Sequence, residues 1–350
     1  MRAYLQLARP PQWVKNVFVL AGLVAGGSEL IERGSFVESA GLAGLAFVGF
    51  CLVSSACYVI NDLLDREEDR HHPTKRLRPL ASGAVTPTGA ILFSIVLAAV
   101  GMTCGVLVGA RGFLIILIAY YALTNVYSVI LKHLILLDVI SISTGFVLRA
   151  WGGAIAVDVP VSPWLIVCTF TLCLFLGFGK RRCELAVIGD SEKAKNHRAT
   201  LEGYTIELLN HLLSISAGIA VITFLLYAMD VETERKFGTN YLIYTTPLVV
   251  YGVFRYAMLI ESGRIAGPTD IMLNDRPFVG VVILWVALTS GIIYKGKSLK
   301  TWLEGPPQGS QVVWRVDAAP GSAGQGESTF QARTGPHIPA LRASHLQRKT

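Results

Sequence analysis

Long apolar runs, each about the length of a bilayer crossing, alternate with short polar breaks along most of this chain. A membrane-spanning helix needs about 20 mostly apolar residues. Such runs fall at 14–30, 40–62, 86–108, 112–131, 134–157, 161–179, 206–229, 239–260 and 277–295. The pattern predicts an all-α, polytopic membrane bundle of about nine transmembrane helices. Two breaks are minimal, GARG at 109–112 and LKHL at 131–134, so both must be tight helix–helix turns. The break DVPVSP at 158–163 carries two prolines and is a strong one. From about Glu304 the pattern stops. Residues 304–350 are rich in Gly, Pro, Ser and Gln, which predicts a disordered tail behind a transmembrane domain of residues 1–303. Arg2, Arg9, Pro10 and Pro11 precede the first run and no small-residue cleavage signature follows it, so a retained first helix is expected.

Composition agrees with the pattern. The chain is 52% hydrophobic and only 16% charged, whereas soluble domains carry about 25% charged residues. A net charge of +7 would raise nucleic acid as a partner of a soluble protein. Here the basic residues fall mostly in loops between apolar runs, so no nucleic-acid partner is expected and the charge reads as orientation. With the N-terminus in the cytoplasm, the inside segments hold Arg2, Arg9, Lys15, Arg66, Arg70, Lys75, Arg76, Arg78, Lys132, the Lys and Arg residues of 180–205, Arg264 and Arg276. The outside loops hold Arg33, Arg111, Arg235 and Lys236, with Lys295, Lys297 and Lys300 pointing weakly the other way. The expected location is the inner (plasma) membrane of a cell, multi-pass. The cysteines, Cys51, Cys57, Cys104, Cys168, Cys173 and Cys183, lie mostly inside apolar runs without metal-ligand spacing and read as small core residues.

One stretch breaks the apolar pattern sharply. Asn61 to Asp69 hold five carboxylates, and the nine residues that follow hold four basic ones. If the second helix continues through Asp69, then Asn61, Asp62, Asp65 and Asp69 fall within roughly a 100° arc, at about 100° per residue. Unpaired carboxylates against a membrane repel one another and cost several kcal/mol. A hard divalent ion offsets this. Mg²⁺ takes oxygen ligands, keeps waters and is usually shared with substrate phosphates. Asp62, Asp65 and Asp69 are therefore candidate metal ligands. The blander alternative is a solvated helix end with local ion pairs. Lys75, Arg76 and Arg78, confined by Pro73 and Pro79, are candidate phosphate ligands, with plain positive-inside charge as the alternative.

The loop after the sixth run opens with Lys180, Arg181 and Glu184 and leads through Arg198 to Tyr204. Arg181 and Glu184, three apart, can pair on one helix face. An acidic helix end facing a basic one is what a metal–pyrophosphate site requires. Three smaller features stay open. RPPQWVKN at 9–16 places Lys15 beside the first run, as a site element or as an interfacial anchor with Trp13. Arg149 lies deep in the fifth run and is a site candidate by default, or a partner of Asp138 through bending. Asp275, Arg276 and Pro277 start the ninth helix or contribute to the site.

Asn61-Asp62-x-x-Asp65-x-x-x-Asp69 after the second of nine spans resembles the first aspartate-rich motif of the UbiA-type intramembrane prenyltransferase superfamily. The resemblance covers about residues 5–295. It implies a nine-helix bundle with a polar cavity on the cytoplasmic side, a lateral opening to lipid, and aspartates that bind Mg²⁺ and a diphosphate. One departure is informative. Where most aromatic prenyltransferases of the superfamily have a second aspartate-rich motif, this chain has GKRRCEL at 179–185. Together with RPPQWVKN, the 61–83 cluster and NDRP at 274–277, this looks like the decaprenyl-phosphate phosphoribosyltransferase branch. That branch implies transfer of 5-phosphoribose from phosphoribosyl diphosphate to a polyprenyl phosphate, releasing pyrophosphate. Asp62, Asp65, Lys180 and Arg181 would then carry the chemistry. Lys15, Asn61, Lys75, Arg76, Arg78, Arg149, Glu184, Arg198 and Tyr204 would bind substrate. Oligomeric state and isoprenoid length stay open. The rivals are a prenyltransferase moving a polyprenyl group from its diphosphate to another acceptor, and a transporter, for which no internal repeat speaks.

Overall fold

The computed structural model describes residues 2–188, 203–262 and 275–304. Arg198 and the tail expected beyond Glu304 lie outside the described residues. Among the described residues there is no strand, and residues 1–300 form one compact unit. Among the described residues nine helices are long and apolar enough to cross a membrane. Spans 1 to 9 are Pro10–Glu32, Phe36–Leu64, Pro87–Leu107, Arg111–Val129, Leu137–Ala156, Pro163–Ala186, Ile206–Met229, Tyr241–Glu261 and Arg276–Leu303. Both minimal breaks are turns. The first bends through Gly109 at φ 78°, and the second is a short 3₁₀ turn at Leu131–His133. All the cysteines are free.

Two spans differ from the expected form. Span 1 begins at Pro10 and runs as a 3₁₀ helix to Leu20 before becoming α-helical. In a 3₁₀ helix residues three apart share a face. Asn16 and Val19 are buried on that face, and Trp13 above them donates to Ser55 Oγ at 3.0 Å. The segment lies against span 5 at backbone contact: a Cβ on Gly153 would strike the Val19 carbonyl oxygen. Span 2, with 29 residues, is about 43 Å long at 1.5 Å per residue. The hydrocarbon core is about 30 Å, so its acidic end lies at the membrane–water boundary.

Side chains pack in two main centres. Phe50, Phe113, Leu117 and Tyr120 join spans 2 and 4 to Val19 of span 1. Phe175, Leu209, Tyr256 and Phe278 join spans 6 to 9. Leu92, Ile95 and Val96 of span 3 stay exposed. Outward apolar faces of this kind suit lipid rather than water.

Candidate functional site

Spans alternate in direction, so the start of span 1, the ends of spans 2, 4 and 6 and the starts of spans 5 and 7 share one end of the bundle. Most of the charged residues singled out above that the structure describes lie toward that end, in three groups.

The first group is an acidic rim. Asp62, 2% exposed, pairs with Arg9 and accepts from Arg78 Nη1 at 3.2 Å. The same Arg78 atom reaches Asp69 Oδ2 at 2.6 Å. Arg9 holds a left-handed backbone, φ 52° and ψ 55°. That conformation is uncommon for a non-glycine residue, and such strain gathers at functional sites. A cleft of about 460 Å³ lined by Arg2, Gln6, Arg9, Gln12 and Arg78 opens beside these groups. Asp65 faces elsewhere: it pairs with Lys132 and accepts from Asn61 Nδ2 at 2.9 Å.

The expected unbroken helix through Asp69 is corrected here. Span 2 stops at Leu64, Asp65 makes a turn at φ −84° and ψ 2°, and a new short helix covers Arg66–His71. The break and the cations divide the carboxylates between Arg78 and Lys132, so they do not converge on one point. Lys75 and Arg76 follow in a 3₁₀ turn, with no side-chain ion pair among the described residues. Glu67 instead pairs with Arg70, the local ion pairing of a solvated helix end.

The second group lies deeper. Arg149, 5% exposed, donates Nε to Asn16 Oδ1 at 2.7 Å, Nη2 to Tyr120 Oη at 2.6 Å and Nη1 to the Gly145 carbonyl at 2.9 Å. Its guanidinium sits 4.5 Å from the Tyr120 ring centre. The pairing with Asp138 weighed above does not occur, because Asp138 is taken by partners nearer the boundary. Arg149 has no carboxylate partner among the described residues. The ammonium of Lys15, next to Asn16, lies within electrostatic reach of Lys180, Arg149 and Arg9. This region carries surplus positive charge.

The third group is buried between spans 5, 6 and 7. Arg181 donates Nε to Asp138 Oδ2 at 2.7 Å and Nη1 to Glu184 Oε2 at 2.5 Å. Tyr204 donates its hydroxyl to Asp138 Oδ1 at 2.8 Å. Burial pushes the Tyr204 phenol well above its ordinary value, so it stays a donor. Lys180, one residue earlier, is 57% exposed and 3.8 Å from Glu184. The expected pairing of Arg181 with Glu184 is present.

Asp275, before span 9, accepts from the Phe278 amide at 2.9 Å and from Arg255 at 2.7 Å. This is the helix-start reading. Sequence reasoning missed Lys132 and Tyr120 as parts of these groups, and it weighed Asp138 only as a partner of Arg149. Lys132 had a signal, as the only formal charge in a turn of four residues.

Nine crossings with this charged end define a multi-pass membrane protein of the helical-bundle class. The UbiA prenyltransferase family pattern matches residues 17–274. The chain belongs to that family of membrane transferases, and the transporter alternative falls away. A decaprenyl-phosphate phosphoribosyltransferase of Mycolicibacterium smegmatis is 33% identical over 297 residues, which is 83% of this chain and 92% of the relative. Its counterpart in Mycobacterium tuberculosis is 32% identical over 290 residues, 82% of this chain and 93% of the relative. A solved UbiA homolog from Archaeoglobus fulgidus bound to GPP and Mg²⁺ superposes with a TM-score of 0.59 over 83% of this chain and 99% of its own, at 20% identity. That last likeness concerns the fold alone.

The donor chemistry of the rim fits a hard cation of this kind. Among the described residues no group of three or more His, Cys, Asp or Glu forms a closed metal cage. Asp62 Oδ2 and Asp69 Oδ1 accept no hydrogen bond among the described residues, so the atoms left for a cation are carboxylate oxygens. Mg²⁺ usually takes one or two carboxylates and completes its shell with water and substrate phosphate.

Proposed function

We propose that this chain transfers 5-phosphoribose from phosphoribosyl diphosphate to a polyprenyl phosphate, releasing pyrophosphate, with the charged end of the bundle facing the cytoplasm. The observation that carries the reading is the mixed sign of that end: a carboxylate rim beside Arg9 and Arg78, and a separate cationic region around Lys15 and Arg149. A prenyltransferase with a neutral acceptor binds one diphosphate. This reaction must hold a diphosphate, a sugar phosphate and a lipid phosphate together, and surplus cations suit that load. The names of the relatives from Mycolicibacterium smegmatis and Mycobacterium tuberculosis support the same choice.

Asp62 and Asp69, each with an oxygen that accepts no hydrogen bond among the described residues, would hold Mg²⁺ together with the donor diphosphate, and Asp65 would join them on leaving Lys132. The ion, when bound, neutralises charge that builds on the departing pyrophosphate. Arg78 and Arg9 release part of their grip on the carboxylates and turn to diphosphate oxygens, a bidentate contact that arginine favours. Lys180 and the basic residues of 75–78 orient phosphates from the open side. Arg181 and Glu184 hold Lys180 from beneath. Asn61 and Arg198 complete the binding set, and Tyr204, buried against Asp138, supports it from behind. Lys15 and Arg149 attract the remaining phosphate. An oxygen of the lipid phosphate attacks the anomeric carbon, and the bond to the diphosphate oxygen breaks with its electron pair leaving on pyrophosphate. The attacking oxygen is already ionised at neutral pH, so no residue must act as a strong general base.

The test is direct. Purified protein in detergent is given labelled phosphoribosyl diphosphate, a polyprenyl phosphate and Mg²⁺. The expected result is a lipid-linked phosphoribose product that requires the ion. No such product, with transfer of a prenyl group from a polyprenyl diphosphate to an aromatic acceptor, would decide for the prenyltransferase reading.

A further inference from the structure

Asp138 is 1% exposed and takes no part in the rim ion pairs. Its two oxygens point two ways. Oδ1 accepts from the Tyr204 hydroxyl, and that hydroxyl oxygen accepts the Leu136 amide at 2.7 Å. Leu136 has φ 68° and ψ −44°, a conformation that side-chain-bearing residues rarely adopt. It lies between span 5 and the 3₁₀ turn Leu131–His133, which carries Lys132, the partner of Asp65. Oδ2 accepts from Arg181, whose second nitrogen holds Glu184 2.5 Å away. The other Glu184 oxygen lies 3.8 Å from Lys180.

One buried carboxylate is therefore the root of two arms, and each arm ends at a lysine beside the site. We infer that Asp138 is a positioning residue that sets Lys132 and Lys180 through Tyr204 and Arg181. An ion pair that only tied spans 5 and 6 together would need neither the Tyr204 hydroxyl nor a strained turn. A strained backbone persists where its surroundings over-determine it, and here the Tyr204 hydroxyl holds the amide of the strained residue itself. The consequence for rate rests on the transfer reading above; the consequence for the turn does not.

Two variants of the full chain in detergent test this. Tyr204→Phe removes one oxygen and keeps the ring. Asp138→Asn keeps the shape and removes the charge. Hydrogen exchange without substrate is expected to speed up at residues 131–137 by about tenfold in Tyr204→Phe, while the span cores stay protected. Asp138→Asn is expected to do the same and also to loosen 180–184. In turnover, Tyr204→Phe is expected to lower kcat by about tenfold with donor KM little changed, since small misplacements of a polar group cost rate. Adding Tyr204→Phe to Lys132→Ala should cost nothing further, because the arm then has no lysine to set. Unchanged exchange at 131–137 in both variants overturns the inference, and so does a double variant whose losses multiply. Exchange is read without substrate, so a protein that transfers no phosphoribose still tests the positioning.

Discussion

The carboxylates at the end of span 2 and the carboxylate at the start of span 5 meet their arginines in opposite surroundings. On the rim, Asp62 is almost fully covered, but its partners Arg9 and Arg78 are 25% and 28% exposed. Between spans 5 and 6, Arg181 and Asp138 are 4% and 1% exposed. A pair with one wet partner exchanges cheaply because water screens the interval, and on the proposed function the arginine would swing to a phosphate. A pair dry on both sides cannot open without stranding a charge in a low-dielectric interior. The same residue types thus serve as an exchangeable seat in one place and as scaffold in the other.

The largest effect should separate these roles on the rim. Asp65→Asn is expected to cut transfer by about 10²–10³-fold and to leave thermal unfolding in detergent nearly unchanged. Unaltered Mg²⁺-dependent turnover in that variant removes the metal assignment. In the buried cluster the order reverses. Asp138→Ala leaves Arg181 without its covered partner and is expected to cost about 3–5 kcal/mol of stability, read as a large fall in the midpoint of thermal unfolding. If Asp65→Asn unfolds the protein and Asp138→Ala does not, the contrast between the two regions fails.

A smaller effect comes from pH. The Arg255 hydrogen bond beside Asp275 holds its carboxyl below the usual carboxylate range. Its folded value lies below its unfolded one, so its stabilisation is present above the unfolded value and is lost as pH falls through the folded one. The start of span 9 should therefore loosen below about pH 4, and Asp275→Asn should flatten that dependence in a pH series of thermal midpoints. The smallest effect is expected at Arg235 and Glu232, which are 72% and 67% exposed. Arg235→Ala should change stability by less than about 1 kcal/mol. A larger value would show that exposure is a poor guide to which pairs matter here.

Much of this arrangement was legible before any coordinates. The spans were, because a helix of about 20 apolar residues carries its own signal. The Arg181–Glu184 pair was, because residues three apart on a helix are neighbours whatever surrounds them. Gathering the charged motifs at one end was, because span count fixes which helix ends share a side. The bend at Asp65 was not, since nothing in Asp-Arg-Glu-Glu forbids a helix and Lys132 arrives from span 4. Arg149 was flagged, but the one partner weighed for it, Asp138, is not among those it meets. Its bond to Asn16 joins spans 5 and 1, and that pairing follows from the close approach of Val19 to Gly153.

The sequence by itself determined how many times the chain can cross, where the crossings lie, and that acidic and basic motifs collect at one boundary. Those are consequences of composition along short windows, where the solvent preference of each residue acts locally. Only the tertiary structure decided which cation holds which carboxylate, and which of those pairs stay wet. Partner choice depends on distances between helices remote in the chain, and the strength of each pair depends on how much water the surrounding spans exclude.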